Sequence, residues 1–244
     1  MMVDCVIHPI PLVESKIDKS LMTYRLNFGQ IIPSIAYVWY IEGVRERILV
    51  DAGASAKYLS TVRGMPAEEI QTLESGLKNL GMDFSDIDLI IFTHLHNDHV
   101  SEAHRFPRAK FLVQARELEF ARHPHPSVSP TYCREFFDGI HFEVVNGDTE
   151  ISGEISLLFT PGHTPGSQSV AVKTAQGNAI ITGLCTIREN FEPPSSVKMS
   201  TPVITPGIHT NVFEAYDSIL RIKELADIII PNHEPEFRNK TSIP

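Results

Sequence analysis

Four side chains that commonly bind metals lie within a stretch of six residues near the middle of the chain. Residues 94–99 are His-Leu-His-Asn-Asp-His, and they directly follow the largely apolar run at residues 88–92, which predicts a strand. While the chain stays extended, His94 and His96 point in one direction, and a turn after them lets Asp98 and His99 fold back beside the first position. The spacing therefore predicts a metal site with room for two adjacent ions. A polar loop with solvated histidines is the alternative, but such loops are seldom this dense in metal-binding side chains.

Two more histidines also follow apolar, strand-like runs. His163 comes after residues 155–160, within the segment Thr-Pro-Gly-His-Thr-Pro-Gly-Ser at 160–167, and His233 comes after residues 228–232. The glycines and prolines around His163 favour a tight loop that can bring its imidazole close to a metal. Because strand ends at one edge of a sheet sandwich converge on a common cleft, we expect all these side chains to meet there.

The rest of the chain alternates between strand and helix patterns. Strands are predicted at residues 35–41, 47–50, 88–92, 110–113, 140–145, 155–160, 169–173, 179–182 and 227–230. Helices are predicted at residues 66–80, 114–122 and 211–225. With 244 residues, of which 42% are hydrophobic, the chain can bury a sizeable core. We therefore expect a single α/β domain over residues 1–244.

Composition narrows the classes of partner. The net charge is −9 and no stripe of lysine and arginine is present, which argues against nucleic acid or an anionic membrane and favours a small-molecule substrate. Residues 1–9 do not have the pattern of an export signal, and the most apolar run, at 31–41, is interrupted by Pro33 and Ser34. The three cysteines, Cys5, Cys133 and Cys185, are odd in number and far apart, which favours a reducing compartment and a cytoplasmic location.

Several of these segments together resemble the metallo-β-lactamase superfamily. They are Leu-Val-Asp-Ala-Gly at 49–53, the motif at 94–99, the loop at 160–167, Thr-Gly at 182–183 and Pro-Asn-His at 231–233. The resemblance implies an αβ/βα four-layer sandwich, in which two mixed β-sheets face each other and helices lie outside. It also implies that His94, His96 and His163 hold one metal, while Asp98, His99 and His233 hold the other.

The resemblance assigns a role to a further acid, Asp51. It corresponds to an acid beneath the metal site, which would orient a ligand histidine through the second ring nitrogen of that histidine. A role in a turn or a helix cap is the alternative. The expected cofactor is zinc, as two ions, although imidazole and carboxylate ligands also suit iron, manganese or cobalt, and a single ion remains an alternative.

One part of the sequence departs from the family pattern. After the strand at 179–183, the family usually has an aspartate that bridges both metals, and this chain has Leu184 and Cys185 instead. Leucine cannot bind a metal. Cys185 either supplies a thiolate to the second metal or packs as a small hydrophobic residue. Because neighbouring side chains of a strand point to opposite faces, we expect Cys185, and not Leu184, to face the cleft.

Within the superfamily, the chain most resembles the N-acyl-homoserine lactonase group. The segments concerned are 94–99, Arg-Glu-Asn-Phe-Glu at 188–192 and Pro-Gly-Ile at 206–208. The tyrosine that this group usually carries after the bridging aspartate is absent, because Thr186, Ile187 and Arg188 occupy that region.

The expected activity is metal-dependent hydrolysis of a lactone or ester by a metal-bound hydroxide. Asp98 would orient this nucleophile and then protonate the leaving alkoxide. Arg188, His209, Asn97 and the histidines at 123 and 125 are candidates for substrate contacts. A thioesterase of the glyoxalase II type and a non-catalytic metal-binding sensor are the alternative functions, and a homodimer is left open.

Overall fold

The computed structural model describes residues 4–198 and 200–244, which form two sheets flanked by helices. The strands are β1 (Val6–Asp18), β2 (Ile31–Glu42), β3 (Ile48–Val50), β4 (Ala67–Glu69), β5 (Leu89–Ile91), β6 (Lys110–Gln114), β7 (Phe142–Val145), β8 (Thr149–Glu150), β9 (Ile155–Phe159), β10 (Gln168–Thr174), β11 (Gly177–Ile181) and β12 (Ile228–Ile230). The helices are α1 (Ala56–Thr61), α2 (Leu73–Asn79), α3 (Asn97–Val100), α4 (Ala115–Arg122), α5 (Arg188–Phe191), α6 (Ser195–Lys198) and α7 (Val212–Leu225).

Both sheets contain parallel and antiparallel strands. The first has seven strands in the order β4-β1-β2-β3-β5-β6-β7, antiparallel from β4 to β3 and parallel from β3 to β7. The second has five strands in the order β12-β11-β10-β9-β8, and only the β11–β12 pair is parallel. The expectation of two mixed sheets is confirmed.

Three apolar clusters show how the layers pack. The central cluster lies between the sheets, where Tyr37, Trp39 and Val50 of the first sheet meet Val170 and Ile181 of the second. A second cluster covers the other face of the first sheet with residues of α1, α2 and α4, and a third covers the outer face of the second sheet with residues of α5 and α7. Since each sheet buries one face against the other sheet and one against helices, the molecule is the four-layer αβ/βα sandwich.

The longest strand, β1, was not predicted from the sequence. Pro9 and Pro11 argue against a strand, because proline cannot donate a hydrogen bond to a neighbouring strand. The structure nevertheless pairs β1 with β2 along its whole length, with an irregularity between Pro11 and Val13. The long-range pairing with an apolar partner strand outweighs the local preference.

The helix predicted at 66–80 is wrong in nearly its first half, because α2 begins at Leu73. Residues Ala67–Glu69 form strand β4 and pair with β1, so that Val13 lies opposite Glu69. The helix begins only after Thr72, whose hydroxyl accepts a hydrogen bond from the Ser75 amide at 3.1 Å. Pro66 and the two glutamates suggested a helix start, but the N-cap six residues later sets the boundary.

The ends of five strands place the candidate functional residues along one edge of the sandwich. Strands β3 and β5 of the first sheet lead into Asp51 and Thr93. In the second sheet, β9 leads into the loop at 160–167, β11 into residues 182–185, and β12 into residues 231–233. Within the described residues, no helix is both long enough and apolar enough to cross a membrane.

Candidate metal centre

Six potential metal ligands meet in two groups of three. His94, His96 and His163 form one group, and Asp98, His99 and His233 form the other; within each group, the potential ligand atoms all lie within 4.8 Å of one another. Within the first group, His94 Nε2 and His163 Nε2 are 3.2 Å apart. Between the groups, the His94 and His99 ring centroids are 4.1 Å apart, so the two groups are adjacent. The structure therefore brings together all six residues that the sequence singled out.

The backbone around the motif explains how neighbouring residues serve two groups. His96 is still extended, with φ −66° and ψ 155°, and the short helix α3 begins at the next residue. The change from extended chain to helix turns Asp98 and His99 away from the direction of His94 and His96. The turn expected from the spacing is present.

The loop that carries His163 depends on a glycine. Gly162 has φ +123°, a conformation that other residues rarely adopt, and an added Cβ would lie 2.1 Å from the backbone nitrogen of Ala215 in α7. The close approach lets the loop lie against the N-terminal half of α7. On the cleft side, His163 Nδ1 is 2.8 Å from the carbonyl oxygen of Ile208, which fixes the ring and leaves Nε2 facing His94.

Asp51 lies beneath both groups and is completely buried. Its Oδ2 is 2.8 Å from His99 Nδ1, and the Thr93 hydroxyl, 2.9 Å from the same oxygen, is also 3.0 Å from His94 Nδ1. One carboxylate thus orients one histidine of each group, directly for His99 and through Thr93 for His94. This contact agrees with the role that the resemblance implied, rather than with a helix cap.

Burial lowers the pKa of every histidine in the two groups except His99. Burial, followed by the charge of His99, lowers the pKa of His94 well below its usual value, and burial also lowers the pKa of His96 and brings that of His163 to about 4. Burial alone would lower the pKa of His99, but the carboxylates of Asp98 and Asp51 outweigh it and raise that pKa to about 10. Conversely, burial opposes ionisation of Asp98, yet the charge of His99 holds the pKa of Asp98 well below its usual range.

The residues present fit divalent metal ions. His99 Nε2 is buried and has no hydrogen-bond partner, although Asp98 Oδ2 lies 3.4 Å away as a charge partner. A buried nitrogen without a hydrogen-bond partner is costly unless it meets another group. The other four histidines have lowered pKa values and are neutral, and Asp98 is ionised, which are the forms that bind metals. At His99, a bound ion would take the place of the Nε2 proton.

Leu184 and Cys185 point in different directions, as expected. Leu184 is fully buried in the cluster that includes Phe191 and Ala215, whereas Cys185 lines the cleft. However, Cys185 is in neither ligand group: its Sγ lies 3.3 Å from Met22 Sδ, and burial raises the pKa of its thiol. The geometry therefore places Cys185 as a neutral, packed thiol in the cleft wall rather than as a thiolate ligand.

The predicted substrate-contact residues fall in different places. Asn97 lines the cleft, donates a hydrogen bond to the Thr131 carbonyl at 2.9 Å, and has a buried Oδ1 without a hydrogen-bond partner. Arg188 lies outside the cleft, because its guanidinium pairs with Glu236 and Glu192. His209 is hydrogen-bonded to the carbonyl of Pro206 and packs against Tyr24, and the histidines at 123 and 125 are exposed on a loop away from the cleft lining.

Sequence analysis missed a buried acid, Glu117, which joins the two loops of the first group. One carboxylate oxygen accepts the Leu95 amide at 2.9 Å and the Tyr132 hydroxyl at 3.3 Å, and the other accepts the Thr164 hydroxyl at 2.6 Å. Leu95 lies between His94 and His96, and Thr164 follows His163. The available indication was helical spacing: Glu117 shares the buried face of α4 with Leu118 and Ala121.

Comparisons with known proteins agree with this geometry. A family model described as the metallo-beta-lactamase superfamily matches residues 31–231. An N-acyl homoserine lactonase from Bacillus sp is 27% identical over 197 residues, which cover 75% of this chain and 77% of that protein. The N-acyl homoserine lactonase AttM of Azorhizobium caulinodans is 28% identical over 172 residues, covering 66% and 63% of the two chains.

Solved structures give the same result over nearly the whole chain. A mutant of AiiA from B. thuringiensis, with N-decanoyl-L-homoserine bound at its active site, superimposes with a TM-score of 0.78 at 26% identity, covering 98% of this chain and 96% of that one. AidC, a dizinc quorum-quenching lactonase, shares the fold with a TM-score of 0.69 at 16% identity, covering 97% and 90%. These relatives confirm the expectation of a metal-dependent lactone hydrolase and favour neither the thioesterase nor the sensor. The chain belongs to the metallo-beta-lactamase superfamily.

Proposed function

We propose that this chain hydrolyses the ester bond of a lactone with the help of two divalent metal ions, for which zinc is the first candidate. The observation that supports this most directly is the pair of adjacent three-residue ligand groups at the base of one cleft. His94, His96 and His163 would hold one ion, and Asp98, His99 and His233 the other. When bound, such ions lower the pKa of water to about 7 and polarise a carbonyl group.

The chain's own residues supply the proton transfer. The Asp98 carboxylate is ionised, its side chain is 26% exposed, and it lines the cleft. It is therefore the acid that can accept a proton from the attacking water and deliver it to the alkoxide that leaves when the lactone ring opens. The more deeply buried Asp51 cannot reach the substrate, and its part is to hold His99 and Thr93.

The walls of the cleft favour a substrate with an apolar part. Five apolar side chains line the cleft together with the ligand groups: Ile17, Leu21, Met22, Leu59 and Met65. Apolar walls with a few polar groups at the base are typical of small-molecule sites, where the walls bind the substrate and the polar groups orient it.

A substrate panel tests the proposal. Metal-loaded protein should release one proton per lactone opened, measured by titration at constant pH, with N-acyl homoserine lactones, simple γ-lactones, alkyl esters and thioesters as substrates. We expect turnover of lactones that is lost after metal removal and recovered after metal addition. Preference for thioesters would favour the glyoxalase II type instead, and failure to turn over any member with two ions bound would favour a sensor.

A further inference from the structure

Arg63 is the one permanently cationic side chain among the residues that line the cleft. It lies two residues after helix α1, between Leu59 and Met65 of the apolar wall, and it is half-buried. His96, Asp98 and His163 of the ligand groups line the same cleft, so the guanidinium and the two groups share one cavity.

The guanidinium of Arg63 has no acidic partner in the described part of the chain. Several other arginines, such as Arg105 and Arg221, are paired with acids, and unpaired ones such as Arg45 do not line this cleft. In a chain with 30 acidic residues and a net charge of −9, an unpaired arginine in a cleft is available to bind an anion from outside.

The ligand groups themselves are short of negative charge. Five of the six residues are histidines, so Asp98 is the only carboxylate among them. Leu184 is packed in an apolar cluster and Cys185 contacts Met22 outside both groups, so the wall segment after β11 adds no carboxylate. Even with the buried Asp51 carboxylate counted, two divalent ions bound here would leave a net positive charge, which favours an anionic ligand.

We infer that the natural substrate is a lactone or ester bearing an oxyanion, a carboxylate or a phosphate, that binds to Arg63 while its carbonyl lies over the two ligand groups. A guanidinium suits this task because its planar array of donors matches the two oxygens of such a group. The inference rests on the proposed function and extends it, because simple N-acyl homoserine lactones with alkyl chains are neutral.

Matched ligands test the binding step without relying on turnover. The probes are N-acyl 2-aminocyclopentanones, which lack the ester oxygen, with succinyl, 3-phosphonopropanoyl or neutral butanoyl as the acyl group. Calorimetry on metal-loaded protein should show that Arg63→Gln weakens the succinyl or the phosphono probe about five- to tenfold and leaves the butanoyl probe unchanged. The two anionic arms distinguish a carboxylate from a phosphate. Arg45→Gln, which removes an exposed arginine from a different groove, should match the wild type.

The second test of Arg63 measures the hydrolysis of an anionic and a neutral lactone. For N-succinyl homoserine lactone, Arg63→Gln should raise KM by a similar factor with little change in kcat, and for N-butanoyl homoserine lactone it should change neither. Equal effects on both lactones, or equal binding of all probes by wild type and Arg63→Gln, would overturn the role of Arg63. If no lactone is hydrolysed, the proposed function fails, and the calorimetry still decides whether Arg63 binds an oxyanion.

Discussion

The two ligand groups share one cleft but differ in composition and support. The first consists of three buried histidines with lowered pKa values, so it offers three neutral nitrogens. The second combines His99 and His233 with the partly exposed Asp98, and it rests directly on Asp51. The difference predicts a division of work, in which the first group would hold one metal, and the second would hold the other and also carry the group that moves a proton.

Loss of the Asp98 carboxylate should have the largest effect and should separate the two roles. Asp98→Asn removes the proton-transferring group, and we expect kcat to fall by about 10²–10⁴-fold. The ion held by His94, His96 and His163 should stay bound. Elemental analysis alongside kcat checks this, with the exposed Asp217→Asn in α7 as the control. Near-normal kcat with normal metal content would reduce Asp98 to a structural ligand.

A carboxylate introduced at position 184 should destabilise the protein, whereas one introduced at position 185 should add a ligand to the second group. Leu184→Asp introduces a charge into an apolar cluster, so the free energy of unfolding should fall by more than about 3 kcal/mol in denaturant titrations. Cys185→Asp places the same group in the cleft wall, where it should strengthen binding of the second metal. A stable Leu184→Asp variant with tighter metal binding would show that position 184 faces the cleft.

Removing Glu117 should weaken the first group selectively. Glu117→Leu deletes the acceptor that joins Leu95 to Thr164. Residues that hold metal ligands in place typically contribute about 10–100-fold to metal affinity, so we expect the affinity of the first group to fall by about that factor. Glu117→Gln keeps an acceptor, so its metal affinity should fall less. The exposed Glu119→Gln is the control, and its metal affinity should equal that of the wild type. Competition with a coloured chelator measures the metal affinities of the first and the second ligand group. Equal weakening of both sites would mean that Glu117 supports the fold rather than the first group.

Cys185→Ser should have the smallest effect. Since Sγ packs against Met22 Sδ and lies outside both ligand groups, the number of bound ions should not change. The free energy of unfolding should change by about 1 kcal/mol or less. Selective loss of the second ion in this variant would restore Cys185 as a ligand.

The parts predicted from the sequence are those that local patterns determine. The dense motif at 94–99 and the strand-then-histidine pattern at His163 and His233 identified all six clustered residues, because each depends on short-range spacing. The position of Asp51 beneath His99 also agreed with the resemblance. Leu184 and Cys185 point in different directions as predicted, but the reason given was wrong, because β11 ends at Ile181 and both residues lie in the bend after it.

The parts that were missed depend on long-range contacts. Strand β1 exists because β2 pairs with it, and Glu117 acquires its role only when α4 meets two distant loops. Arg188 looked available for substrate but is paired with Glu236, 48 residues away in sequence. No local pattern reports such a partner.

The proposed pair of neighbouring metal sites should be possible to empty one at a time. The decisive measurement is the metal content per chain of wild type, His163→Ala and His233→Ala loaded under identical conditions. We expect two ions in the wild type and one in each variant, because each substitution removes a ligand from only one group. One ion in the wild type, retained in His233→Ala and lost in His163→Ala, would contradict this expectation and leave a single-metal site.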